Sequence, residues 1–235
     1  METEFSKPKD TINTKNCLYC NIPFTEKLFC KECINSLKEL AENGDKGAMF
    51  NLANCYKNGE GTEKNLDKAF YWYQKAVENG NEDAIFNLAI CYRNGEGTEK
   101  NLEKAFYWYQ RAAENAAENE NEKAMLALAN CYYFGKGTEK NLEKFFYWNQ
   151  KAAESGLKKA MNYLASCYYN GDGIEKDLDK AFHWYQKASE SVFTAAMHNL
   201  AICYENGNEM EKDLDKAFHW YQKRQKMVLL MQCTI

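Results

Sequence analysis

The chain has 235 residues, 45% of them hydrophobic, and a formal net charge of −4. That is enough apolar material for a sizeable core, and the acidic balance speaks against a general nucleic-acid binder, which carries a basic surplus. The opening METEFSKPKD has no apolar stretch of the kind an export signal needs, and no apolar run approaches the roughly 20 residues of a membrane helix. Ten cysteines without an export signal point to metal ligands and reduced thiols in a cytoplasmic setting rather than to disulfides.

In chain order, residues 1–15 read as a disordered N-terminus and 16–34 as a small module with the pattern Cys17-x2-Cys20-x9-Cys30-x2-Cys33. Two C-x2-C pairs are the ligand grammar of a tetrahedral four-thiolate zinc site. A structural Zn2+ is therefore the expected cofactor, because metal supplies stability that so short a segment cannot obtain from a core. The intervening residues suit a short hairpin turning at Pro23–Glu26. Ile34 stands where a knuckle usually has glycine. Disulfides, or a zinc finger that binds a partner directly, remain as alternatives. Residues 1–33 hold five Lys against five Asp and Glu, so no basic patch accompanies the cysteines. Residues 35–44 are predicted to form a capping helix.

From residue 45 the chain repeats itself. Trp72, Trp108, Trp148, Trp184 and Trp220 are spaced 36, 40, 36 and 36 apart, and Cys55, Cys91, Cys131, Cys167 and Cys203 keep the same spacings. Five units follow, at about 45–80, 81–116, 121–156, 157–192 and 193–223, with a duplicated A-A-E-N at 112–119 accounting for the long interval. Each unit predicts two helices. Ala48, Leu52, Cys55 and Tyr56 mark the first at helical spacing; Leu66, Ala69, Phe70, Tyr73 and Ala76 mark the second. Asp45, Asn65 and Asn81 are N-cap candidates; Gly59, Gly61 and Gly80 are the breaks. The repeat cysteines fall in one small core slot. The apolar tail, 224–235, either extends and caps the last repeat or leaves a sticky end.

The copies differ from one another in an ordered way. The second helix is nearly constant, A-F-Y-W-Y-Q-K or A-F-H-W-Y-Q-K, so its aromatics read as core and packing. His183 and His219 take the slot of Tyr71 and Tyr107. The first helix keeps its core slots and varies elsewhere. The variable set comprises Phe50, Asn54 and Lys57; Phe86, Ile90 and Arg93; Leu126, Asn130, Tyr133 and Phe134; Asn162, Tyr163 and Tyr169; and His198 and Ile202. Repeat 3 departs furthest: Phe145 replaces the Ala69 type and Asn149 the Tyr73 type, a roughly volume-conserving exchange. With Tyr133 and Phe134 beside it, this repeat is the expected hot spot.

The pattern A-x3-L-A-x-C-Y-x2-G-x-G-x3-N-L-x-K-A-x2-W-Y-x-K-A-x-E-x-G resembles the Sel1-like repeat, a relative of the tetratricopeptide repeat, over roughly residues 45–223. The resemblance implies an all-α, right-handed superhelical solenoid whose first helices line a concave wall. It also implies a non-enzymatic scaffold or adaptor that binds a protein or an extended peptide in complex assembly or signalling. Similar arrays in fungi are often attached to a protein kinase domain, of which no motif stands here. Neither H-E-x-x-H, G-x-S-x-G nor a phosphate loop is present, so no catalytic residues are assigned. Two rival readings are a secreted Sel1-like hydrolase or cell-wall binder, and a zinc-dependent nucleic-acid module with the repeats as an appendage. Oligomeric state is left open.

Overall fold

The computed structural model describes residues 15–16, 23–24, 31–114, 121–191, 193–207 and 212–232. Among them are eleven α-helices and one short antiparallel bridge. The bridge joins β1 (Lys15–Asn16) to β2 (Pro23–Phe24), with Asn16 opposite Pro23. Pro23 and Phe24 are thus extended and paired, so the turn expected to begin at Pro23 does not begin there, and Lys15 belongs to a strand rather than to a disordered end. Cys17, Cys20 and Cys30 lie outside the described residues.

The chain divides into two compact units, residues 1–84 with 96–99, and residues 85–95 with 100–235. The first holds α1 (Lys31–Glu42), α2 (Lys46–Asn58) and α3 (Leu66–Glu78). Helix α1 buries Cys33, Ile34, Leu37 and Ala41, a stripe at spacings of three and four. Helix α2 buries Ala48, Leu52, Cys55 and Tyr56, and α3 buries Ala69, Tyr73 and Ala76. Leu37 and Leu52 are fully buried, each worth about 1.5–3 kcal/mol relative to exposure.

The second unit carries α4 (Asp83–Asn94) from Ile85 onward, then α5 (Leu102–Glu114), α6 (Asn121–Phe134), α7 (Leu142–Glu154), α8 (Lys158–Asn170), α9 (Leu178–Glu190), α10 (Thr194–Asn206) and α11 (Leu214–Gln232). Its helices follow the same design. Phe106 meets Tyr132 edge-on at 5.4 Å, Phe146 meets Tyr168 at 5.3 Å and Phe182 meets Tyr204 at 5.2 Å, each joining a second helix to the next first helix. Glycine is required where the loops close. A Cβ on Gly137 or Gly173 would strike the carbonyl of Leu102 or Leu142, the first residue of the preceding repeat's second helix.

The caps fall where the sequence predicts them. Asp45 accepts from the Ala48 amide at 2.7 Å, Asn65 from Lys68 at 2.9 Å and Asn81 from Ala84 at 2.9 Å. Gly59 closes α2 in the left-handed conformation at φ 75°. Helices α8 and α10 start from Leu157 and Phe193 without a side-chain cap.

One expectation needs correction, and one choice left open is narrowed. The outer aromatics of the second helix are not core: Tyr71, Tyr107 and Tyr147 are about half exposed, and His183 and His219 are exposed too. They stand edge-on to the adjacent tryptophan at 5.0–5.8 Å. The reason is angular. Ala69, Tyr73 and Ala76 share one face at spacings of four and three, whereas Tyr71 is two residues from Ala69 and Tyr73 and faces away. In addition, α11 runs 19 residues, through most of the apolar tail, yet Leu214 and Phe218 remain 58% and 62% exposed. The tail lengthens the helix without covering that face.

Candidate functional site

The variable first-helix residues have different surroundings within each unit. In the first unit, Phe50 and Asn54 seat the second-helix tyrosine: the Tyr73 ring lies 6.2 Å from Phe50 and its hydroxyl donates to Asn54 at 2.6 Å. Lys57 is half-buried. In the second unit Phe86 packs on Tyr109 at 5.7 Å and His198 on Tyr221 at 5.8 Å in the same manner. Ile90 and Ile202 are half-buried and Arg93 is exposed, its Nε donating to Asn94. Leu126 packs on the core cluster around Leu164 and Ala152. Asn162 is buried and accepts from the Asn199 amide at 3.0 Å. Tyr169 is half-buried, with Lys176 over its ring at 5.7 Å.

Four of the candidates do converge. Asn130, Tyr133, Phe134 and Tyr163 line a cavity of about 230 Å³ together with Phe145, Ser166, Asn170 and Asp172. Helix α6 supplies the first three, α7 supplies Phe145, and α8 and its following loop supply the rest. The wall is a run of rings: Phe134 to Tyr133 at 4.9 Å, Tyr133 to Phe145 at 4.8 Å, Phe145 to Tyr163 at 6.3 Å. The exchange in repeat 3 produces this arrangement. Phe145 puts an aromatic ring where the template has a methyl group. Asn149, fully buried, turns its amide nitrogen back to the Phe145 carbonyl at 2.8 Å, and its Oδ1 has no hydrogen-bond partner among the described residues. Asn170 and Asp172 are missed by the sequence, whereas Phe145 belongs to the expected hot spot of repeat 3 and Ser166 to a variable first-helix slot. Phe145 is visible as a departure from the template, and Ser166 occupies the Asn54 slot.

Burial governs the thiols and Tyr185 on these helices. Burial pushes the Cys131 thiol up to about 11 and that of Cys203 to about 11; Cys167 rises to about 12, through burial and then the Asp172 charge. These thiols are protonated at neutral pH and poor nucleophiles. Burial likewise raises Tyr185 to about 12, opposed by its hydrogen bond with Ser166. Among the described residues no cluster of three or more His, Cys, Asp or Glu is arranged to hold a metal, and no helix is long and apolar enough to cross a membrane. Cys33, the one described member of the four-cysteine set, sits in the first turn of α1, 5% exposed.

These hairpins of helices are those of a known class of repeat. The Sel1 repeat model matches residues 47–81, 82–116, 122–157, 158–191 and 194–223. The chain belongs to the Sel1 repeat family, an all-α solenoid class whose members generally mediate protein–protein interaction and are typically non-enzymatic. A Sel1 repeat protein from Oxalobacter formigenes is 32% identical with a TM-score of 0.76, over 83% of this chain and 80% of that one. A protective antigen present in uropathogenic Escherichia coli strains, displaying an SLR fold, is 30% identical with a TM-score of 0.77. The match covers 82% of this chain but only 40% of the antigen's length. No curated protein matches the chain.

Proposed function

We propose that the chain is a non-enzymatic adaptor that holds an extended segment of a partner protein on the first-helix face of repeats 3 and 4, in the cytoplasm, during complex assembly or signalling. The observation that carries this reading is the aromatic-walled cavity of about 230 Å³ between α6, α7 and α8. Phe134, 59% exposed, is a large apolar side chain beside a concavity, the usual anatomy of an interface anchor. Affinity capture with the full chain tests it, comparing the unaltered protein with Phe134→Ala and Tyr163→Ala. The expected outcome is a defined set of partners lost from both variants while helix content by circular dichroism is unchanged. An identical capture profile with all three proteins overturns the reading.

Zinc is a separate proposal. Cys17, Cys20, Cys30 and Cys33 form a donor set of four soft thiolates, and the paired residues Asn16 and Pro23 flank Cys17 and Cys20 in sequence. Placement of Cys33 at a helix start suits a ligand, since a helix N-terminus favours a thiolate. Against this, Cys33 also shares the buried stripe of Ile34 and Leu37 and serves the core whether or not metal binds. Elemental analysis of the purified chain should give one zinc per chain, lost in Cys17→Ser; a metal-free chain with an unchanged melting temperature after chelation rules zinc out.

A further inference from the structure

The cavity in repeats 3 and 4 has a size, a set of open hydrogen-bonding atoms and a surrounding charge, and together these select a guest. At about 230 Å³ it is smaller than the 300–1,000 Å³ pockets that enclose whole small ligands, and it suits one side chain. Four rings, Tyr133, Phe134, Phe145 and Tyr163, favour an aromatic guest.

The polar atoms of the lining include acceptors that a guest could use. The Asn130 amide nitrogen donates to the Leu126 carbonyl at 2.9 Å, which leaves its Oδ1 as an acceptor. Ser166 Oγ donates to the Asn162 carbonyl at 3.0 Å, so in the 3.0 Å contact with Tyr185 the tyrosine hydroxyl is the donor, and Ser166 is satisfied. The Asn170 amide donates to Asp172 Oδ2 at 3.2 Å, and the carboxylate has further lone pairs. Asn130 Oδ1 and the Asp172 carboxylate are acceptors that suit a guest with a donor at its tip: a phenol O–H or an indole N–H.

Charge decides what surrounds that guest. Lys136 lies 4.7 Å above the Phe134 ring, Lys140 5.5 Å above Tyr133 and Lys159 5.9 Å above Tyr163, against the single carboxylate of Asp172 in the lining. Lys140 recurs in every repeat. Lys136 is peculiar to repeat 3, its position being held by Glu60, Glu96, Asp172 and Asn208 elsewhere; the Lys159 position is lysine also at Lys123 but Gly47, Asp83 and Ala195 in the other repeats. A cationic guest would meet these ammonium groups on rings they already cover. An acidic segment would be attracted to them.

We propose that the cavity takes a tyrosine or tryptophan side chain from an extended, acidic segment of a partner protein, an inference that rests on the reading of this face as the docking surface. The probe is a fluorescein-labelled nonapeptide with tyrosine at its centre and glutamate on either side, titrated with the full chain in a polarization assay. Saturable binding is expected, weakened at least about tenfold by alanine at the peptide centre and more modestly by phenylalanine, which lacks the donor. Phe134→Ala should abolish it. The pair Lys136→Glu and Lys159→Glu should weaken it and flatten its salt dependence, since both lysines are surface charges screened beyond about 8–10 Å. Phe134 and both lysines are on the surface, so circular dichroism should show these variants folded. If a lysine-flanked tyrosine peptide binds as tightly and remains sensitive to Phe134→Ala, the docking surface stands and the acidic assignment falls. If neither peptide binds, or binding ignores Phe134→Ala and Tyr163→Ala, the docking surface itself is wrong.

Discussion

In repeat 1 the second-helix tyrosine, Tyr73, is fully buried and donates a 2.6 Å hydrogen bond to Asn54; in repeat 3 the equivalent Asn149 is equally buried but donates to Phe145 of its own helix at 2.8 Å. Around Tyr73 the first-helix face is filled, with Phe50 against the ring. Around Asn149 the space passes to Phe145, whose ring sits four residues earlier on the helix and reaches Tyr133 and Tyr163 instead. One scaffold thus closes its face with tyrosine in one repeat and builds an aromatic-walled cavity in another by exchanging two residues. The core slots around the exchange are unchanged: Leu52 and Leu128 are both fully buried. Scaffold and site are separable within a single helix pair, and that separation can be tested.

The largest effect belongs to the scaffold. Leu164 is fully buried in the cluster formed with Ala152, Ala160, Met161, Ala188 and Ala196. Leu164→Ala should cost about 2–5 kcal/mol in urea unfolding, because the deleted methyl groups leave a cavity among small neighbours that cannot collapse into it. Phe134→Ala, one repeat away and exposed, should stay within about 0.5 kcal/mol. Equal losses would mean that Phe134 belongs to the scaffold.

Alkaline pH should weaken the same scaffold through its thiols. Cys131, Cys167 and Cys203 have folded-state values of about 11, 12 and 11, above those of exposed thiols. Between the unfolded and folded values the unfolded chain has released protons that the folded chain still holds, so stability falls as pH rises. The stabilisation is fully present below about pH 8.5 and is lost progressively towards about pH 11 for Cys131 and Cys203 and about pH 12 for Cys167. Melting temperatures measured from pH 8 to 10.5 should decline, and the decline should be shallower when the three cysteines are replaced by alanine. The same slope in both proteins would assign the effect elsewhere.

The exchange in repeat 3 can be reversed. Asn149→Tyr alone forces a second large ring beside Phe145 and should destabilise by about 1–3 kcal/mol. Combined with Phe145→Ala it restores the pattern of repeat 1, with the introduced hydroxyl placed to reach Asn130 as Tyr73 reaches Asn54. The double variant should lie within about 1.5 kcal/mol of the parent and lose the Phe145 wall of the cavity. Non-additivity is the diagnostic: if the double variant is as unstable as Asn149→Tyr, the two positions do not share one volume.

Much of this was legible in the sequence because the chain supplies its own controls. Constant slots such as those of Ala48, Leu52 and Cys55 had to be core, and the pairing of Phe145 with Asn149 stood out against the other repeats. What the pattern does not carry is the rotation of one helix against the next. That rotation sets Phe50 and Asn54 under Tyr73, where the sequence suggested an open face, and turns Tyr71 away from the core. Nor does comparison slot by slot bring Asn170 and Asp172 to Tyr133, because those residues meet across a repeat boundary nearly 40 positions apart.

The smallest effect separates two caps that look alike in sequence. Asn65 caps α3 with one bond to the Lys68 amide, and its site is exposed. Asn81 accepts from the Ala84 amide at 2.9 Å and also donates to the Lys46 carbonyl at 3.1 Å, while only 9% exposed. Within the first unit its side chain therefore ties residues 81–84 to the start of α2, and Lys46 reinforces the link by donating to the Gly80 carbonyl at 3.0 Å. Asn65→Ala removes an ordinary cap and should cost about 0.5–1 kcal/mol. Asn81→Ala removes the cap and also the bond to the part-buried Lys46 carbonyl, for about 1–2 kcal/mol. Asn81→Asp keeps the acceptor and deletes the donor, so it should fall between parent and alanine. If aspartate equals the parent, the cap alone matters and the tie to Lys46 contributes nothing; if it equals alanine, the tie between repeats is the whole effect.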